Sequence, residues 1–502
     1  MPRDKPRGTE TVAAPAPRPG VPQEPADAAP RDRRPDTALQ DPPAGAAPGA
    51  RAPRGYRAVF AVREFRAVFA AHLLSLLGVV VSELALTVLV YGLTGSPLLS
   101  ALTFALGFLP YLVGGTLLAG IADRYPARRV LVTCDLVCAA CVAVMVLPGT
   151  PVGGLLLLRC LVAAVSPVFT GTRMAALTEI LGDGEAYVLG RSLLRIVSQS
   201  AVLIGFGAGG MLLAVLSPRG AITITVVTFL CSAVLLRFGT RHRPARSSGP
   251  AGPDARNGDR VGDGQGNGGG ALLKESLAGA RSLFRDRRIR VLMLLFWAPP
   301  LFLVAPEALA APYADEIGVG TTALGLLMCA MPVGQIAAEL YTGTGLSPRL
   351  RSLIVLPAAV VGPLPLLLYV LRPGVVPAVI VLALAGASGA YVIGLDKWFV
   401  AAVPESLRGR AMTLLTAGMM TLQGVGMALA GLAAEFFPVH QVVAGAGAAG
   451  VLCLLPLVLT ARRLNVAEAA RGGPSAAATG GPPAERVRTK VRDEADQHMT
   501  SG

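Results

Sequence analysis

Residues Ala119 to Leu131 read AGIADRYPARRVL and place a cluster of charge between two long apolar runs. The preceding run, LTFALGFLPYLVGGTLL, carries no charge, and the following run, VLVTCDLVCAACVAVMVL, carries a single aspartate. About 20 mostly apolar residues in a helix cross the roughly 30 Å hydrocarbon core of a bilayer. Two such runs around a short charged segment therefore indicate two membrane-spanning helices joined by a polar loop.

The composition of the whole chain extends this pattern. Of its 502 residues, 53% are hydrophobic and only 15% are charged, which is too apolar for an ordinary water-soluble protein. The apolar runs are unbroken rather than alternating, so they predict helices and not the strands of a membrane barrel. We predict an all-α polytopic membrane protein with twelve transmembrane helices, at about 67–93, 98–121, 130–148, 152–175, 188–215, 220–237, 290–311, 321–342, 352–371, 376–402, 409–435 and 439–461.

The distribution of arginine predicts the orientation. Among the odd-numbered loops only Arg219 and Arg372 are basic, whereas the even-numbered loops, in which we place Arg173, and both tails are rich in arginine. The positive-inside rule then places the even loops and both termini in the cytoplasm. The net charge of +14 is thus explained by topology, and we expect no nucleic-acid partner.

A Gly-rich stretch between predicted helices 6 and 7 divides the chain. After it, apolar residues from Leu273 to Phe284 recur at helical spacing and predict an amphipathic helix on the membrane surface. The predicted organisation is a disordered cytoplasmic tail (1–57), a six-helix bundle (58–237), a cytoplasmic linker with the amphipathic helix (238–289), a second six-helix bundle (290–463) and a second disordered cytoplasmic tail (464–502).

Three stretches carry a family resemblance. ADRYPARRVL resembles the loop motif between helices 2 and 3 of the major facilitator superfamily, roughly G-x-L-A-D-R-x-G-R-R. AAVPESLRGRAMTLL (401–415) and SLLGVVVSELALTVLVYGLTGS (75–96) are similar to segments of the drug-exporter branch that includes macrolide and enterobactin exporters. The resemblance implies two six-helix pseudo-repeats and transport by alternating access. It also implies that Asp123, Arg124, Arg128 and Arg129 form a latch that holds the halves together in the outward-open state.

Charged residues inside the spans are the candidate cavity groups, because charge in a bilayer is costly and is usually functional. Glu83 and Arg159 lie about 5 Å and 7 Å outward of the midpoints of helices 1 and 4 by the helical rise, so their depths match. We predict Glu83 as a proton-carrying or cation-attracting acid near Arg159, with a static ion pair as the alternative. Asp396 and Lys397 on helix 10 are further candidates, with a structural role as the alternative, either as a local pair or by snorkelling.

The glycines of IGFGAGG (204–210) on helix 5 resemble an antiporter motif, G-P-x-x-G-G. The resemblance implies that Gly205, Gly209 and Gly210 keep the cavity leak-proof during exchange. Close helix packing alone is the alternative. Glu307 is expected to reach the headgroup region, and Asp135 on helix 3 is expected to be structural.

The sequence lacks the motifs that an ATP-driven pump or a metalloenzyme would require. The four lysines lack the preceding G-x-x-x-x-G of a P-loop, and the four histidines form no H-E-x-x-H pattern. Cys134, Cys138 and Cys141 on one helix are expected to pack rather than to bind metal. We therefore predict no enzyme and no cofactor, but a secondary transporter for proton-coupled efflux of a small amphipathic organic compound such as a drug, siderophore or secondary metabolite, a cationic one among the options.

The predicted partners are this substrate, the proton and the lipid bilayer. The chain is predicted to be a monomer in the bacterial cytoplasmic membrane. Two alternatives remain open from the sequence: a gradient-driven importer of a metabolite and a non-transporting membrane sensor.

Overall fold

The computed structural model describes residues 56–108, 125–182, 185–241, 243 and 283–464. The predicted tails and most of the predicted linker with its amphipathic helix lie outside the described residues, as do Asp123 and Arg124. The described chain consists of helices without strands. We number the long helices as α1 (Arg63–Thr94), α2 (Pro97–Phe108), α3 (Ala127–Val146), α4 (Val152–Leu181), α5 (Glu185–Val215), α6 (Pro218–Gly239), α7 (Arg287–Leu303), α8 (Thr321–Thr344), α9 (Pro348–Val361), α10 (Val375–Ala387), α11 (Arg408–Ala434) and α12 (Val439–Arg463).

Shorter elements extend several of these helices. A short helix, Tyr56–Ala61, precedes α1. The line of α7 continues through Ala305–Ala308 and Ala310–Glu316, that of α9 through the 3₁₀-helix Leu364–Leu371, and that of α10 through Ser388–Ala390 and Tyr391–Ala402. A 3₁₀ turn, Glu405–Leu407, precedes α11.

Eleven helical segments in the described chain are long and apolar enough to cross a membrane. The exception is α2, because the described part of this span ends at Phe108. The all-α polytopic fold class is therefore confirmed, and the twelve predicted spans agree with eleven long helices plus α2.

Local signals set the ends of the helices. Gly95 ends α1 in the left-handed conformation (φ +66°) that glycine adopts without strain, and its N–H donates to the Tyr91 carbonyl. Ser217 and Ser347 cap α6 and α9 by accepting from backbone N–H groups, and a proline follows each serine at the first helical position. These signals place the loops at the two membrane surfaces.

We define the terminal side as the membrane face at which α1 begins and α12 ends, and the distal side as the opposite face. The first half (α1–α6) and the second half (α7–α12) meet mainly through two helix pairs, α2 with α11 and α5 with α8, and the short helices that continue α7 add smaller contacts with α1 and α2. If every helix number is shifted by six, α2 becomes α8 and α11 becomes α5, so the first pair is converted into the second. The two interfaces are thus equivalent under a six-helix repeat.

The contacts between the halves lie on the distal side. One buried apolar cluster there includes residues of both halves, such as Leu84 and Phe104 from the first and Leu324 and Met427 from the second. The clusters toward the terminal side each draw on a single half. Among the described residues, the halves are therefore packed together on the distal side and separate toward the terminal side.

Candidate functional site

An ion pair lies inside the first half, between α1 and α4. The Arg159 Nη2 atom donates to Oε1 of Glu83, and both side chains are largely buried. Arg159 Nε also donates to the Thr103 carbonyl of α2, 3.1 Å away. The structure thus brings together the two residues that the sequence paired by depth, and a third helix fixes the guanidinium.

Gly107 on α2 leaves the room that this pair occupies. A Cβ at this position would meet Arg159 Nη2 and would come within 3.3 Å of Glu83 Oε1. A larger residue would therefore force the Arg159 guanidinium to shift beside Glu83. The contact explains why a glycine stands at this point of α2.

A second carboxylate reaches the same region from the other half. Glu307 follows Pro306 in the short helix Ala305–Ala308, and Pro299 and Pro300 already disturb the end of α7. Proline removes a backbone donor and clashes with the preceding turn, so the chain is interrupted at membrane depth. The charge of Glu83 acts electrostatically on Glu307. It forms no hydrogen bond or ion pair within the described residues.

Glu307 lines a cavity of about 180 Å³ between the halves, with Gln199, Phe206 and Gln335 among its other walls. The expectation that Glu307 reaches the headgroups is therefore wrong. The sequence signal that could have placed it is a proline-rich run, APPLFLVAPE, which cannot continue as a regular helix to the surface.

A larger cavity of about 470 Å³ lies in the first half toward the terminal side. Arg173, Arg191 and Arg195 are among its lining residues. Arg173, which the sequence analysis assigns to a loop, lies buried within α4, because this helix runs on to Leu181. Gln199 borders this cavity and also the smaller one, so the two lie end to end along α5.

Asp396 and Lys397 are exposed and line neither of the two cavities described above. Asp396 nevertheless interacts electrostatically with Arg195, which belongs to the other half. The four predicted cavity residues thus separate into a buried pair, Glu83 with Arg159, and two exposed residues on the helix Tyr391–Ala402, which continues α10.

Asp135 lies fully buried at the meeting point of α1, α3 and α6. Its carboxylate accepts from Ser75 Oγ at 3.0 Å and from Ser232 Oγ at 2.6 Å. The Arg173 charge also acts on it. These contacts tie three helices together, in line with the structural role expected from the sequence.

The described part of the predicted latch lies within the first half. Arg128 donates to the Arg237 carbonyl at the end of α6, where the helix dipole favours a cation, and the Arg129 side chain is exposed. Asp123 and Arg124 lie outside the described residues. The latch therefore stays a prediction.

The helix-5 glycines face two partners. Gly205 and Gly209 pack on Val80, Val81 and Leu84 of α1. Gly210 instead faces α8, where a Cβ would lie 2.6 Å from the Gly325 Cα atom and 2.8 Å from the Thr321 carbonyl oxygen. This backbone-to-backbone approach joins the halves on the distal side.

Comparison with known proteins agrees with this arrangement. The sequence profile of the Major Facilitator Superfamily matches residues 68–392. The fold resembles the crystal structure of nucleoside transporter NupG, at 14% identity over 78% of this chain and 98% of that chain, with a TM-score of 0.59. It also resembles a POT family transporter in complex with 5-aminolevulinic acid, at 10% identity over 80% of this chain and 97% of that chain, with a TM-score of 0.60.

A third structure with this fold is a bacterial homologue of the human lysosomal transporter Spinster in an inward-facing and unoccupied conformation. It shares 15% identity over 82% of this chain and 97% of that chain, with a TM-score of 0.51. No curated protein sequence matches the chain. Identities this low establish the fold and leave the substrate open, whereas the family profile covers more than half of the sequence. The chain therefore belongs to the Major Facilitator Superfamily.

Proposed function

We propose that this chain is a proton-coupled exporter of a small amphipathic organic compound, working by alternating access as a monomer in the bacterial cytoplasmic membrane. The positive-inside rule places the terminal side, with both termini, in the cytoplasm. The resemblance of residues 75–96 and 401–415 to the drug-exporter branch supports export over import.

The observation that carries the proposal is the electrostatic interaction between Glu83, which is paired with Arg159 in the first half, and Glu307 in the second half. When both carboxylates are ionised they repel one another, and a proton on either one removes that repulsion. Protonation would therefore change how strongly the two halves hold together at this point.

The contacts between the halves support alternating access. In the distal-closed arrangement the substrate would enter the larger cavity from the cytoplasm. Export requires the opposite state, in which α2 parts from α11 and α5 parts from α8 while the terminal side closes. Asp123 and the loop arginines would then act as the latch on the closed terminal side.

The test is transport by inverted membrane vesicles under an imposed pH gradient, with a panel of amphipathic compounds. We expect Glu83→Gln to bind the transported compound and to lose the response to the gradient. Glutamine keeps the shape of the side chain and an acceptor oxygen for Arg159, so folding should survive. Glu83→Asp is the matched control, since it keeps a carboxylate, and it should retain coupling in part.

Full proton-coupled efflux by Glu83→Gln would reduce the ion pair to a structural contact. Movement of compounds only in the opposite direction would favour the metabolite importer. A lack of movement under either gradient would favour the non-transporting sensor.

A further inference from the structure

The larger cavity on the terminal side is lined by cationic side chains. Arg173 on α4 and Arg191 and Arg195 on α5 all contribute to its wall, together with His72 of α1. No carboxylate belongs to the lining formed by the described residues. We propose that this cavity binds the acidic group of an organic anion, such as a carboxylate or a phosphate. The inference deepens the proposed function by naming the substrate class.

The two α5 arginines stand on one face of their helix. Arg191, Arg195 and Gln199 follow one another at intervals of four residues, and all three are exposed. Residues at this spacing point the same way from a helix. Arginine presents several N–H donors in a planar fork that matches carboxylate and phosphate oxygens. The face is therefore built to donate hydrogen bonds to a single acidic group.

The carboxylates near the cavity do not neutralise this face. Asp135 is not part of the cavity lining. Its carboxylate accepts hydrogen bonds from Ser75 and Ser232 and interacts electrostatically with Arg173. Asp396, on the helix Tyr391–Ala402, interacts electrostatically with Arg195 from the opposite half without forming an ion pair. Arg191 has no salt-bridge partner among the described residues. The α5 face thus keeps an excess of positive charge.

Part of the cavity lining is apolar. Val79, Val162, Val165 and Phe229, from three other helices, are among its apolar lining residues. His72 Nε2 lies 3.0 Å from Ser198 Oγ and 3.4 Å from Arg173 Nη1, so this histidine belongs to the polar wall. A ligand with an acidic head and an apolar body suits such a site. A cationic substrate, one of the options left by the sequence, does not suit it.

The test measures binding alone and needs no transport. The probe is naphthalene-1-acetate, compared with uncharged naphthalene-1-acetamide by equilibrium dialysis against the full-length protein in nanodiscs of zwitterionic lipid. We expect the acetate to bind about tenfold or more tightly than the acetamide, since hydrogen bonds to charged groups are the strong ones. Arg191→Gln/Arg195→Gln should remove this preference and leave the weak binding of the acetamide unchanged.

The matched control is Arg462→Gln/Arg463→Gln, which removes the same charge from exposed positions at the end of α12. It should bind the acetate like the unaltered protein. Equal binding of acetate and acetamide, or an unchanged preference in the α5 double variant, would overturn the proposal. Displacement of the acetate by phosphatidylglycerol added to the nanodiscs would assign the arginines to a lipid headgroup and would also overturn it. A positive binding result stands even if Glu83→Gln disproves proton coupling.

Discussion

Replacing Gly210 with alanine should open the distal side. The added Cβ would lie 2.6 Å from the Gly325 Cα atom, 2.8 Å from the Thr321 carbonyl oxygen and 2.9 Å from the Gly325 nitrogen. All three are backbone atoms and cannot turn aside as a flexible side chain could. The α5–α8 contact must therefore separate to admit the methyl group.

Such overpacking costs about 1–3 kcal/mol in a tightly packed interface. The cost falls on the distal-closed state, because α5 and α8 make this contact only when the halves meet there. A penalty of about 1–3 kcal/mol shifts a two-state equilibrium roughly 5- to 150-fold. We therefore expect the variant to favour a state with the distal side open.

The assay is the distance between spin labels at Leu93→Cys and Phe437→Cys in a background without the native cysteines. Both positions are exposed near the distal side, one in each half. We expect a longer distance to gain population in Gly210→Ala. The matched control is Gly92→Ala, because a Cβ at Gly92 meets nothing within 4 Å. Identical distance distributions for Gly210→Ala and the unaltered protein would refute the argument that this contact stabilises the closed state.

Three further substitutions test other parts of the structure. Gly107→Ala should displace the Arg159–Glu83 pair and lower proton-driven transport in vesicles, whereas Gly153→Ala, where a Cβ meets nothing within 4 Å, should not. Asp135→Ala should leave two serine hydroxyls without their acceptor and lower the free energy of unfolding by about 1–3 kcal/mol. The measurement is thermal unfolding of the purified protein, and an unchanged transition would argue against a stabilising role of the buried network. Asp123→Asn should lower transport at normal expression, and full transport by well-expressed protein would rule out the latch.

Part of the candidate site could be predicted from the sequence. Glu83 and Arg159 are costly charges in apolar runs, and the helical rise fixes their depths, so their matching depths follow from local rules. Their pairing required α1 and α4 to pack side by side, which the structure shows. The location of Glu307 was not predicted, because it depends on where the proline-interrupted end of α7 packs. The sequence did not predict that the arginine face of α5 lines a cavity, because the pattern of residues along one helix does not show how its neighbours pack around it.

The sequence by itself determined the class of fold, the spans and the predicted orientation. These follow from hydrophobicity, from the 1.5 Å rise per residue and from the loop charges, all of which are local properties. Only the tertiary structure decided that the halves meet on the distal side, through Gly210 and Gly325, and that Glu307 lines a cavity between the halves and interacts electrostatically with Glu83. Contacts between residues far apart in the chain depend on how whole helices pack, and no local pattern of residues specifies that packing.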